Sequence, residues 1–234
     1  MSPARVVLIT GARKGIGRFL VDHYLAKGWE VVGCSRGEST VSHDRYSHHQ
    51  FDISEDREVI TAVNEIVAAK GRLDALINNA GVASMNHSLM TPTSTLERVF
   101  RTNTFGTFVV SREAAKAMVR QKHGRIVNFS TVGVPFRLDG ECAYNASKAA
   151  VEMMTRIMAK ELGSFNVTVN AVGPTPMDTD LIKGVPPQKI EDLLARQGIK
   201  RFASLEDVAN VTDFFLSDHS SMITGQVIYL GGVS

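Results

Sequence analysis

The chain has 234 residues, 44% hydrophobic and 21% charged, with a formal net charge of +2, the balance of a globular protein with a sizeable core. No lysine or arginine cluster exceeds a few residues and no apolar run approaches the roughly 20 residues of a membrane span, so neither nucleic acid nor a membrane is an expected partner. Cys34 and Cys142 lie far apart, outside any disulfide or metal-knuckle pattern, and only Met1 to Ala4 precede the first apolar run, which together predict a reducing, cytoplasmic setting.

In chain order, Arg5 to Ile9 is a short β-branched run ending in Thr10-Gly11, the pattern of a parallel strand buried on both faces. The turn Gly11-Ala-Arg-Lys-Gly15-Ile-Gly17 then opens a helical pattern from Arg18 to Lys27, closed by Gly28. Strand, glycine turn and helix N-terminus suit a phosphate, because small residues let the backbone approach and free N–H groups favour the anion. The spacing is not G-x-G-x-x-G, and a plain tight turn is the competing reading. Glu30 to Cys34 is a second strand that delivers Ser35-Arg36-Gly37 to the place of an adenosine ribose. An acidic residue there would take the ribose hydroxyls. Arg36, with Lys14 in the glycine turn, instead suits a 2′-phosphate and points to NADP(H), unless both are solvated surface charges.

Polar residues from Glu38 lead into a strand near Tyr46 to Phe51, where adjacent His48 and His49 face opposite sides and His43 is not at chelating spacing, so no metal site is expected. Ser54 reads as the N-cap of a helix with Glu55, Asp56 and Glu58 in its first turn and Val59, Val63, Ile66 and Val67 as its buried stripe. Asp52 either caps this helix or touches the adenine. Leu73 to Ile77 is a fourth strand ending in Asn78-Asn-Ala-Gly81, either a ligand-binding strand end or a turn built on asparagine. A long helix follows from about Thr95 to Lys122, in which Asn103 breaks a stripe of Leu96, Val99, Phe100, Phe105, Phe108 and Val109; a buried amide there needs a partner or a chemical reason.

Gly124 to Ser130 is the fifth strand, ending in the hydroxyls of Ser130 and Thr131. Tyr144-Asn-Ala-Ser-Lys148 sits in a helix-forming run, so the phenol and ammonium share a face, and the cation should favour phenolate and bring a pKa of about 10 toward the working range. By itself the pair equally describes a surface tyrosine over a lysine stem. Phe165 to Ala171 gives a sixth strand, Gly173 to Thr179 a loop, and Leu181 to Gly198 a lid-like insertion. Ser204-Leu-Glu-Asp207 has capping-box spacing and opens a last helix through Leu216, before a final strand at Gln226 to Leu230. The repeated β-α order predicts an α/β fold: one domain spanning 1–234, a Rossmann-type doubly wound sheet of seven mostly parallel strands with helices on both faces.

Thr10-Gly-x-x-x-Gly-Ile-Gly17, Asn78-Asn-Ala-Gly81, Asn103, Tyr144-x-x-x-Lys148 and Asn170-Ala-Val-Gly-Pro174 with Thr179, in this order and spacing, resemble the short-chain dehydrogenase/reductase family over essentially the whole chain. The resemblance implies that Tyr144 donates or accepts the proton, that Lys148 lowers its pKa and holds the nicotinamide ribose, and that Asn103 anchors a water relay. It further implies a cofactor surface of Gly11, Arg13, Lys14, Gly15, Ile16, Gly17, Ser35, Arg36, Asp52, Ile53, Asn79, Ala80, Gly81, Pro174, Met177 and Thr179, shared with Tyr144 and Lys148. The family's serine stands thirteen residues before its tyrosine; that spacing selects Thr131, whereas the S-x-x-G pattern selects Ser130. Thr175 departs from the family's usual glycine. The implied function is an NADPH-dependent, reversible reduction of a small-molecule carbonyl to an alcohol, with a catalytically inactive NADP(H)-binding scaffold or sensor as the alternative. Substrate walls are expected from Met85, Val134, Phe136, Leu138, Leu181 and Ile182, with Arg137 facing either an acidic substrate or solvent. A homo-oligomer, tetramer or dimer, would pair through the helices around 96–122 and 142–163.

Overall fold

Residues 4–177 and 185–233 are described by a computed structural model. The apolar runs become strands β1 (Val6–Thr10), β2 (Glu30–Ser35), β3 (Tyr46–Gln50), β4 (Ala75–Asn78), β5 (Gly124–Phe129), β6 (Val167–Gly173) and β7 (Val227–Tyr229). They form one sheet of order β3-β2-β1-β4-β5-β6-β7, with every neighbouring pair parallel. This is the predicted doubly wound sheet. The central strands β1, β4, β5 and β6 are buried along their whole length, which is why they read as unbroken apolar runs rather than alternations.

The helices are α1 (Gly15–Ala26), α2 (Asp56–Lys70), α3 (Thr93–Phe100), α4 (Thr107–Gln121), α5 (Gly133–Phe136), α6 (Cys142–Leu162), α7 (Pro187–Ala195) and α8 (Leu205–Leu216). On one face of the sheet Leu8, Leu76 and Ile126 meet Val63 and Ile66 of α2, Val110 and Met118 of α4 and Ala159 of α6. On the other, Val7, Ile9, Ile77 and Val127 meet Leu20 and Tyr24 of α1 and Val208 and Phe215 of α8. Each buried valine, leucine or isoleucine contributes about 1.5–3 kcal/mol, so the two cores fix the strand ends against one another.

Two local readings are corrected. Ser54 does not cap α2: the helix begins at Asp56 with Glu55 in the cap position, and Ser54 donates its N–H and hydroxyl to Asp52 Oδ1 at 2.9 and 2.8 Å. The loop's own carboxylate thus outcompetes the helix end for the serine. The long helix expected from Thr95 to Lys122 is divided by a π-helical turn at Arg101–Gly106. Gly106 permits it, since a Cβ there would stand 2.7 Å from the Ile53 carbonyl oxygen. Widening the turn lets the buried Asn103 face the sheet's carboxyl edge, a common use of π geometry. The capping box forms as expected, with Asp207 N–H donating to Ser204 Oγ and Ser204 N–H to Asp207 Oδ2.

Candidate active site

The glycine turn from Gly11, the Asn78–Gly81 stretch, Ser130 with Thr131, and Pro174 follow directly on the carboxyl ends of β1, β4, β5 and β6, one edge of the parallel sheet. Gly11, at φ +69°, is pressed against β4's loop: a Cβ there would lie 2.9 Å from Ala80 Cα. Asn79 Nδ2 donates to the Thr10 and Gly11 carbonyls at 3.0 and 3.3 Å, and Ala80 N–H donates to Thr10 Oγ1 at 3.0 Å. A side chain at Gly17 would collide with the Gly11 carbonyl, so α1 packs as close to the turn as backbone allows. Among the described residues nothing lies within 4 Å of a Cβ built on Gly15, and the Lys14 side chain makes no cap hydrogen bond to α1. A helix N-terminus without a side-chain cap from its N-cap residue, beside open glycine backbone, fits a pyrophosphate.

At the end of β2, Ser35 Oγ donates to the Gly37 carbonyl at 2.8 Å and the Arg13 guanidinium lies over Gly37. Arg36, with its side chain 75% exposed, stands 4.0 Å from the Asp52 carboxylate. Arg13, Ser35 and Arg36 therefore meet at the corner expected to hold the adenosine ribose, while Ile53 is buried against Gly106.

The second cluster is built on α6. Lys148 Nζ donates to the Phe129 carbonyl at 2.8 Å and stands 6.0 Å from the Tyr144 ring centroid. Asn103 Oδ1 accepts from Val82 N–H at 2.8 Å, and its Nδ2 donates to the Val82 carbonyl at 2.9 Å and to Ser147 Oγ at 3.0 Å. Ser147 Oγ in turn donates to the Tyr144 carbonyl at 2.7 Å. A Cβ at Gly81 would lie 3.2 Å from Asn103 Oδ1 and 3.4 Å from Lys148 Nζ, so three separate motifs meet at one point.

The two candidate hydroxyls part as adjacent residues at a strand end should. Thr131 is the one whose side chain acts on the Tyr144 phenol, lowering its pKa against the rise from burial. Ser130 instead donates to the buried Glu152 carboxylate, which also accepts from the Tyr229 hydroxyl at 2.6 Å. The expected depression of Tyr144 by Lys148 is absent: burial, reinforced by the Glu141 carboxylate and opposed by the Thr131 side chain, pushes the phenol up to about 12. Burial also brings Lys148 down to about 8. The ammonium is spent on a backbone carbonyl rather than on the phenol, which is why spacing alone misjudged the shift.

Glu141 escaped the sequence reading because nothing marks a lone acidic residue three positions before a tyrosine. Its charge opposes phenolate, so Glu141→Gln should lower the Tyr144 pKa and move any limb that needs phenolate to lower pH. A pH–rate profile checks this; a limb unmoved or moved upward would contradict it.

Val134, Leu138, Arg137 and Asn145 line a cavity of about 570 Å³ along α6, and Met85 borders it at Gly140. Phe136 instead packs under the Arg196 guanidinium at 4.4 Å. Pro174 accepts from Val132 N–H at 3.1 Å, and Met177 is buried in the apolar core beneath the loop. Thr175 is buried and accepts from Gln197 Nε2, so the side chain that departs from the family's glycine is held from α7's far end. Thr179, Leu181 and Ile182 lie outside the described residues, as does the first part of the expected lid; its later part is α7. Among the described residues no His, Cys, Asp and Glu cluster could hold a metal ion.

The family profile described as enoyl-(acyl carrier protein) reductase matches residues 11–233. A short-chain type dehydrogenase/reductase from Picea abies is 35% identical, the match covering 97% of this chain and 91% of that one. An L-xylulose reductase from Caenorhabditis elegans is also 35% identical, covering 97% and 94%. Among solved structures, ElxO with NADP bound superposes with a TM-score of 0.90 at 27% identity, covering 97% of each chain.

Proposed function

The chain belongs to the short-chain dehydrogenase/reductase family of oxidoreductases, and from that premise we propose that it reduces a small-molecule carbonyl to an alcohol, reversibly and with NADPH, using Tyr144 as general acid and base. The observation that carries this reading is the meeting of Gly81, Asn103 and Lys148 at one point, on the face of α6 that also carries Tyr144 and at the same sheet edge as the Gly11–Gly17 turn. NADPH, when bound along Gly11–Gly17 and Ser35–Arg36, supplies a hydride to the carbonyl carbon. Tyr144 gives its proton to the carbonyl oxygen, and the Thr131 hydroxyl orients that oxygen by hydrogen bonding. Lys148 holds the nicotinamide ribose, and Asn103, through Val82 and Ser147, keeps α6 and the β4 loop in register. With the phenol protonated up to about 12, the acid needed for reduction is present across the neutral range. A panel of carbonyl compounds tested for NADPH oxidation checks the activity; no turnover with any member would count against it.

Cofactor choice is assigned to NADP(H) because Arg36 and Arg13 frame the ribose corner with Lys14 at the N-cap of α1, and a charge-assisted contact to a 2′-phosphate contributes about 1.5–3 kcal/mol. NADPH should therefore bind roughly tenfold or more tightly than NADH, and Arg36→Ala should erase most of that difference. Equal affinities in fluorescence titrations of the parent protein would sink the assignment.

The whole chain is proposed to act as one cytoplasmic dinucleotide-binding and catalytic domain that assembles as a homotetramer or dimer. Leu96, Phe105, Phe108, Met153 and Ile157 leave a large apolar surface exposed on α3, the π turn, α4 and α6, a burden that a second copy would relieve. Light scattering at micromolar concentration should give a multiple of the chain mass, and a monomer would remove the assembly proposal. No helix among the described residues is long and apolar enough to cross a membrane.

A further inference from the structure

We infer that His48, on the edge strand β3, holds the Ser35–Gly37 corner in the shape that receives a 2′-phosphate and so determines the preference for NADPH over NADH, a positioning role that rests on the NADP(H) reading above. Strands β2 and β3 pair with Val31 opposite Tyr46, Gly33 opposite His48 and Ser35 opposite Gln50, so these side chains share one face of the sheet. On that face His48 Nε2 lies 3.0 Å from both Ser35 Oγ and the Gly37 carbonyl oxygen, and its Nδ1 lies 2.9 Å from the Tyr46 hydroxyl. The tautomer follows from the partners. A carbonyl only accepts, so Nε2 carries the proton, Nδ1 is the acceptor, and Tyr46 donates to it. Ser35 spends its single proton on the Gly37 carbonyl, which leaves its lone pairs facing Nε2–H.

The corner is tied to β3 at three consecutive carbonyls. Ser35 O accepts from Phe51 N–H at 3.1 Å, Arg36 O from Gln50 Nε2 at 2.9 Å, and Gly37 O from His48. Each carbonyl so tied is turned toward β3, which keeps its negative end from a bound phosphate. Gly33 makes the arrangement possible, because a side chain there would collide with the Tyr46 hydroxyl that orients the imidazole. Arg13 lies against Gly37, so the position of Gly37 also sets where that guanidinium rests. Arg36 supplies charge and His48 supplies the backbone geometry on which the charge is mounted.

The two cofactors differ only at the 2′-phosphate, so a loosened corner weakens NADPH and leaves NADH alone, whereas general damage to the fold weakens both. NADPH and NADH are titrated separately into the parent protein, His48→Leu and His48→Gln, with melting temperatures recorded alongside. His48→Leu keeps volume but no donor, and should raise the NADPH dissociation constant about tenfold with NADH unchanged. His48→Gln places an amide N–H near the position of Nε2 and should restore most of the preference. An unchanged NADPH-to-NADH ratio in His48→Leu, or equal weakening of both, overturns the inference. Should His48→Leu fail to fold, Tyr46→Phe removes one oxygen and should lower NADPH affinity alone; no change in ratio there overturns it equally. A parent protein without NADPH preference defeats the cofactor reading and this role with it, while a preference lost in Arg36→Ala but kept in His48→Leu defeats this role alone.

Discussion

Tyr144→Phe should reduce turnover by about two orders of magnitude or more while leaving NADPH affinity nearly unchanged, the scale expected when a positioned acid is removed. The substitution deletes one oxygen from a half-buried ring and leaves the packing of α6 intact. Thr131 carries the hydroxyl that acts on that oxygen, so the parallel change Thr131→Val should also slow the reaction. Ser130→Ala is the control, because its hydroxyl donates to Glu152, the carboxylate it shares with Tyr229, rather than to the phenol. Loss of turnover in the serine variant with none in the threonine variant would reverse the assignment. The elevated phenol also has a directional consequence. Reduction, which needs the protonated form, should hold up across neutral pH, whereas alcohol oxidation, which needs phenolate, should rise as the medium becomes alkaline.

Lys148→Ala should lose cofactor affinity and turnover together, in contrast to the tyrosine variant. Lys148 is buried, its ammonium serves the Phe129 carbonyl, and it crowds Gly81 from above the β4 loop. Removing it strips a donor from the expected ribose position, leaves a buried carbonyl without its partner and opens a cavity, costs of about 1–3 kcal/mol for the carbonyl alone. Turnover at saturating cofactor should fall tenfold or more, in proportion to about 1.4 kcal/mol per decade. Because burial brings the ammonium down to about 8, the charged form that donates to the ribose is lost as pH rises through that value. NADPH affinity in the parent protein should weaken over the same window, and in Lys148→Ala the dependence should vanish. Titrations at pH 6.5 and 9.5, chosen roughly 1.5 units either side of that value, measure both effects.

The sheet was legible because its central strands are buried on both faces and so appear as unbroken apolar runs, each followed by a helix with a clear stripe. Gly28 and the Ser204–Asp207 box mark their helix ends by local chemistry that needs no tertiary context. What could not be read depended on contacts between distant segments. The π turn at Arg101–Gly106 arises where Gly106 meets Ile53, roughly fifty residues earlier, and helical periodicity alone cannot report such a contact. The phenol's elevated pKa depends on burial and on where Glu141 points, whereas the spacing of Tyr144 and Lys148 suggested the reverse. His48 was read only as a histidine on one side of a strand, since its partners Ser35 and Gly37 are set by the register of β2 against β3.

Transfer of label from NADPH deuterated at nicotinamide C4 tests the central claim most directly, using the carbonyl compounds that the panel shows to be reduced. The parent protein should deliver deuterium to the carbinol carbon of the product, and Tyr144→Phe, with cofactor still bound, should deliver it at least about a hundredfold more slowly. NADPH consumption without deuterium in the alcohol, or label transfer by Tyr144→Phe at the parental rate, would contradict the account.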